Sequence, residues 1–152
     1  MKYKKMYVAG PFFSDAQTWS MCDIETVLAN NDVAMFRPRY DAGQIKNMQE
    51  ATNEDLKRVF NNDIKGIDDC DAIIANLTFK DTGTAFEIGY AYAKGIPILL
   101  YNDQSISLKK VNLMLAAVAE NFFNSIDELK AWFDNGQPSN SEKVNGHEFE
   151  IE

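Results

Sequence analysis

Short apolar runs rich in β-branched residues alternate along this chain with segments of helical periodicity, and no other feature narrows the possible folds so far. Met6–Ala9 reads as a first strand, closed by Gly10-Pro11. A helix follows from Asp15 to about Asn30, with Trp19, Cys22, Ile24, Val27 and Leu28 marking its apolar face. Val33–Phe36 reads as a second strand. The polar stretch after it, through about Thr52, is long for a connection in a compact domain, and such loops often carry function. Asn53 is the expected N-cap of a helix to about Gly66, with Leu56, Val59, Phe60, Ile64 and Ile67 at helical spacing. Ala72–Leu77 is a buried strand and Asp81–Gly83 a loop. The helix beyond that loop ends at Gly95, a good glycine to follow a helix. Ile96–Tyr101 makes a fourth strand, Leu108 to about Glu120 a further helix, and Asn121–Phe123 a fifth strand. Ser125 caps a last helix through about Phe133.

This order predicts a flavodoxin-like, Rossmann-like α/β fold: a doubly wound, five-stranded parallel sheet in a three-layer α/β/α arrangement. There are no internal repeats, and residues 1–152 are expected to form a single domain. From about Asn135 the composition turns polar, so 135–152 is expected to be a loosely held tail. Ligands of such sheets bind beyond the carboxyl ends of the strands. The rim so defined carries Tyr7 to Pro11, Leu77 to Gly83 and Tyr101 to Gln104.

Composition excludes several kinds of chemistry. A net charge of −8 argues against a nucleic-acid polymer as partner, since phosphates demand a basic face, but leaves a neutral nucleoside or sugar open. No apolar run approaches the ~20 residues that span a bilayer, and no signal-peptide core follows the basic N-terminus. The only cysteines, Cys22 and Cys70, are too few for a disulfide framework and wrongly spaced for zinc, so a reduced, cytoplasmic setting is expected. The single histidine, His147, lies in the polar tail, which nearly excludes a Ser-His-Asp triad or a His-rich metal site. Chemistry here is carboxylate chemistry, with no metal or organic cofactor implied.

One carboxylate stands out. Glu87 lies at the start of the helix after the Asp81–Gly83 loop, among small and apolar neighbours. Such a place suits a carboxylate that attacks an electrophilic carbon, although a first-turn Glu can also simply stabilise the helix dipole. Asp81 can initiate a turn with Thr82-Gly83 or face a ligand. Asp63 falls mid-helix between apolar Val59 and Ile67, where an unpartnered carboxylate is costly, and the alternative is a borderline-exposed Asp pairing with Lys65 or a neighbouring helix. Tyr7 is a core tyrosine or a polar handle at the end of the first strand. Asp68, Asp69 and Asp71 lie at the amino end of a strand, the wrong rim for a ligand, and read as a solvated turn.

Taken together, Tyr7-Val-Ala-Gly-Pro-Phe-Phe, Asn61-Asn-Asp-Ile-Lys-Gly-Ile67 leading to Cys70-Asp71, Asp81 through Ala91, and Val111-Asn-Leu-Met114 resemble the nucleoside 2-deoxyribosyltransferase family, in order and spacing, over roughly residues 5–121. The resemblance implies exchange of 2-deoxyribose between a 2′-deoxynucleoside and a free nucleobase by two inversions at the anomeric carbon. In that scheme Glu87 is the nucleophile, Asp63 handles the base and its proton, Tyr7 aims Glu87, and Asp81 holds a sugar hydroxyl. Asn112, with Met114 near it, is donated from a neighbouring subunit to the sugar 5′-hydroxyl. Gln44 and Gly10 contribute to substrate binding. A homo-oligomer follows, typically a hexamer built from dimers. Better-known members of that family end in an aromatic residue near the active site; this chain ends Glu-Phe-Glu-Ile-Glu152, and Phe149 is the residue that could take that role. An N-glycoside hydrolase of the same superfamily is the nearest alternative. Gly10-Pro11 followed by Phe12-Phe13 lacks the small polar donors a 5′-phosphate wants, which favours an unphosphorylated nucleoside. A non-catalytic nucleotide-sensing module of flavodoxin type is a remote third reading, and the first strand lacks the acids a receiver domain needs.

Overall fold

The computed structural model describes residues 2–106 and 110–139. Eleven elements follow one another: β1 (Lys5–Ala9), α1 (Asp15–Asn30), β2 (Ala34–Phe36), α2 (Pro38–Asp41), α3 (Asn53–Asp68), β3 (Ala72–Asn76), α4 (Thr82–Ala93), β4 (Ile98–Tyr101), α5 (Leu113–Ala116), β5 (Asn121–Phe123) and α6 (Ile126–Asp134). The sheet is five-stranded in the order β2-β1-β3-β4-β5, and every pairing is parallel. This is the flavodoxin-type order, with its topological switch between β1 and β3.

Alternation along the strands divides the core in two. Met6, Val8, Ile74, Leu99 and Tyr101 pack with Ile24 and Leu28 of α1 and Leu129 and Trp132 of α6. Tyr7, Ala9, Ile73, Ala75 and Leu100 point to the opposite face, against Ile67 of α3, Ile88 and Ala91 of α4 and Ala116 of α5. Both faces of the sheet are therefore covered, as the nearly unbroken apolar strands require. Tyr7 belongs to the α3–α4 face, the one on which Asp63 and Glu87 are carried.

Several boundaries move from those expected, each for a local reason. Thr52, not Asn53, caps α3: it forms a capping box in which its side chain accepts from Asp55 N and Asp55 accepts from Thr52 N. The fourth strand begins at Ile98 instead of Ile96, because Ile96 N still donates to Ala91 O at the end of α4 and Pro97 has no N–H to give. The third strand ends at Asn76 and the second starts at Ala34. Asp81 is not loop but the N-cap of α4, which puts Glu87 in its second turn rather than at its start.

The expected Leu108–Glu120 helix is the clearest miss. Only Leu113–Ala116 is helical among the described residues, and Ser107, Leu108 and Lys109 lie outside them. Asn112 is extended and caps the turn, its Oδ1 accepting from Met114 N at 2.9 Å. At the other end Glu120 N donates to Ile98 O, so the chain is already extended to enter the sheet. The run was apolar enough for a longer helix, but the sheet claimed its end.

Trp19, placed on the apolar face of α1, is 67% exposed; Ser20, Met21, Ile24, Glu25, Val27 and Leu28 are the buried set. The tail is not loose from its beginning. Gln137 is buried, its Oε1 accepting from Lys2 N and Tyr3 N, and Trp132 Nε1 donates to Pro138 O. Phe149 and the rest of 140–152 lie outside the described residues.

Candidate active site

A cleft of about 1020 Å³ opens beyond the carboxyl ends of β1 and β3, and Gly10, Gln44, Asp63, Asp81 and Glu87 all line it. Gly10, directly after β1, has φ +156°, and a Cβ there would meet Met21 Sδ at 2.5 Å and Asn76 Cβ at 3.0 Å. Only glycine lets the β1 turn pass this close to α1 and β3. The apolar stripe of α3, expected to face the core, instead supplies wall: Leu56, Val59 and Phe60 line the cleft with Asp63, and only Gly66 and Ile67 are buried.

Beneath the cleft the phenol of Tyr7 lies close to two acids that line it, Asp63 and Glu87. Tyr7 is fully buried, and burial, followed by the negative charge of Glu87, pushes its phenol far above the usual tyrosine range. Burial also raises Glu87 to about 7; the Tyr7 hydroxyl opposes that rise, and the charges of Asp63 and Asp81 add to it. Asp63 is raised by burial as well, again opposed by Tyr7. Yet the approach stops short of formed hydrogen bonds: Tyr7 Oη, Asp63 Oδ1 and Glu87 Oε2 are all buried without a partner. Buried polar atoms are rarely left so, and three facing one another mark a site built for something else to complete.

Tyr7 is aimed by packing that pattern reading missed. Phe36 stacks on its ring, with centroids 5.3 Å apart and planes within 8°. That stack exists because Gly66 has no side chain, since a Cβ there would be 2.7 Å from the Phe36 ring. Asp81 does what turn chemistry predicts, and it also faces the cleft: its Oδ2 accepts from Thr84 N at 2.8 Å and Thr84 Oγ1 at 2.7 Å. Gln44 donates through Nε2 to Arg39 O at 3.0 Å. Asn112 and Met114 are exposed and do not line the cleft of their own chain. The acidic turn is structural: Asp71 accepts from Lys4 N and Lys5 N, and Asp68 from the Tyr90 hydroxyl. No cluster of potential metal ligands occurs among the described residues. No helix among them is long and apolar enough to cross a membrane.

The model of one family, nucleoside 2-deoxyribosyltransferase, matches residues 6–142, nearly the whole chain. The chain belongs to that family. It is an enzyme of the transferase type, and its fold agrees with that of a solved 2-deoxyribosyltransferase. A 2-deoxyribosyltransferase from the psychrotolerant bacterium Bacillus psychrosaccharolyticus is 28% identical, with a TM-score of 0.75 over 89% of this chain and 96% of that one. A conserved protein of Enterococcus faecalis V583, 21% identical, shares the fold with a TM-score of 0.70 over 87% of this chain and 98% of that one. So does a CMP N-glycosidase of Clostridium botulinum, 19% identical, with a TM-score of 0.56 over 86% of this chain and 99% of that one. No curated protein sequence matches significantly.

Proposed function

We propose that this family member exchanges the nucleobase of a 2′-deoxynucleoside by retaining double displacement, with Glu87 as nucleophile. The observation that carries the reading is the set of buried, unpartnered oxygens on Tyr7, Asp63 and Glu87, the two acids being residues that line the cleft. In the first step a Glu87 oxygen bonds to C1′ as the glycosidic C–N bond breaks. The bonding pair leaves with the base nitrogen, which takes a proton from Asp63. An incoming base then attacks C1′ from the face just vacated, the C1′–O bond returns its pair to Glu87, and the new base's proton goes back to Asp63. Two inversions give net retention, the logic of retaining glycosidases. A carboxylate can stabilise the oxocarbenium-like transition state and then collapse onto it. Tyr7 would donate to the carboxylate and steer it, and Asp81, held by Thr84, would take a sugar hydroxyl.

The substrate is an unphosphorylated nucleoside in this reading: the turn after Gly10 leads into Phe12 and Phe13, apolar side chains that line the cleft. Incubating the protein with 2′-deoxyinosine, with and without adenine, tests the whole proposal. New 2′-deoxyadenosine that appears only with adenine is the expected result. Hypoxanthine released at an adenine-independent rate, with no new nucleoside, would move the protein to the hydrolases.

The assembly is a homo-oligomer, a hexamer of three dimers, in which Asn112 and Met114 complete a neighbour's site. Phe86, Tyr92, Leu113 and Met114 are all more than half exposed, an apolar surface on α4 and α5 of the kind a partner covers. Asn112→Ala is expected to raise the KM for deoxynucleoside about tenfold, the loss of one hydrogen bond, with the assembly retained in sedimentation. Dissociation with unchanged kinetics per assembled particle would place Asn112 at the interface and not in the site.

A further inference from the structure

Glu25 lies on the buried face of α1 beside Ile24 and Leu28, where an aliphatic residue would pack well. Its carboxylate instead meets Arg39 Nη2 at 2.8 Å, both side chains being 9% exposed. Burial outweighs the attraction of Arg39 and holds the Glu25 carboxyl above its ordinary range. Buried pairs of this kind are often no more stable than apolar residues of the same volume. This one is also incomplete: Arg39 Nε and Glu25 Oε1 are buried without partners. Stability does not explain the pair.

Its position offers another explanation. Arg39, Tyr40 and Gln44 line the same cleft as Asp63. The Arg39 guanidinium lies 4.8 Å from the Tyr40 ring centroid, and its backbone oxygen holds Gln44. Asn62, next to Asp63, donates to Ala42 O at 2.8 Å, so the end of α2 is tied to α3 beside the acid that serves the base. We propose that Arg39 is the specificity-determining donor of the base subsite, its guanidinium hydrogen-bonding a carbonyl oxygen of the nucleobase. Glu25 and Tyr40 are positioning residues that hold the planar guanidinium in place. The inference rests on the proposed function for where the base lies. It goes beyond it in naming the class of base, an oxo-base such as a 6-oxopurine.

Hypoxanthine and unsubstituted purine, which lacks the 6-oxygen, make the test. Binding of each free base is measured by calorimetry, and its KM as acceptor is measured in the exchange reaction. The wild-type protein should favour hypoxanthine by about 10- to 100-fold, the range for a hydrogen bond to a charged group. Arg39→Met leaves Glu25 buried alone, a charge without its partner that works against folding, so Arg39→Met/Glu25→Leu is the main variant, with Glu25→Gln beside it. The double variant should bind the two bases alike, and Glu25→Gln should fall between. An equal weakening of both bases, with the preference kept, is the mark of a purely structural role and overturns the proposal. A wild type that shows no preference, or binds neither base, overturns it too. Exchange without preference defeats this inference alone; preference without exchange defeats the proposed function alone.

Discussion

Glu87→Ala is expected to slow deoxyribosyl exchange on the order of 10⁴-fold or more, as loss of a covalent nucleophile does elsewhere, while the fold persists. Chromatography of products and a circular-dichroism melt check both halves; turnover near the wild-type rate would remove Glu87 from its role. The quenched wild-type protein, given deoxynucleoside alone, should carry one deoxyribosyl group on the peptide that contains Glu87. The fold persists because the carboxylate works against it. Burial raises Glu87 from 4.5 to about 7, so the unfolded chain gives up this proton before the folded one does. Stability tied to the protonated form is complete below about pH 4.5, falls as pH rises, and is lost above about pH 7. Glu87→Gln keeps the shape and cannot ionise. It should therefore gain up to about 3 kcal/mol over wild type at pH 8 and nothing at pH 4, read from denaturant midpoints. A site that destabilises its own protein at working pH is one selected for chemistry.

Period and length made the architecture legible. Strands such as Ile73–Ala75, buried on both faces, and helices between them leave few topologies besides a doubly wound sheet. Tyr7, Asp63 and Glu87 could be singled out because each is a polar group where its pattern calls for an apolar one. What pattern could not supply was anything decided across the chain. Asn112 caps the start of a helix that propensity would have begun earlier, and Glu120 must join β4. Leu56 and Phe60 carry a helical stripe, but their face lines a cleft instead of the core, a distinction that depends on where α3 lies over the sheet. Arg39 and Glu25 escaped notice because a surface arginine and a helical glutamate are commonplace until they meet. The one available signal was Glu25 itself, a charge within the run of buried positions on α1. Gly66 stands out in the sequence only as part of a motif, while its use, making room for Phe36 against Tyr7, depends on how α3 packs over the sheet.

Asp63→Asn is expected to reduce exchange by about 10²- to 10³-fold, the usual contribution of a positioned general acid. The two acids titrate as one unit beside a phenol that keeps its own proton, and around neutral pH the pair still holds a proton part of the time. The charge of Asp63 is among the causes that raise Glu87, so the free site keeps that proton preferentially on Glu87. Catalysis needs the opposite distribution: an ionised nucleophile and a protonated acid. A bound nucleobase offers Asp63 an acceptor nitrogen, and positive charge developing at C1′ favours the anion at Glu87, so substrate draws the proton across. Two consequences distinguish this account from simple loss of a contact. With asparagine at 63 the charge facing Glu87 disappears, so the acid limb of kcat/KM, near pH 7 in the wild type, should move to lower pH; burial, the larger cause, keeps it above 4.5. A 7-methylated guanine deoxynucleoside, whose base is already cationic and leaves without a proton, should restore most of the rate to Asp63→Asn and none to Glu87→Ala. Equal failure of both variants on that substrate would mean that Asp63 acts on the sugar or on Glu87, not on the departing base.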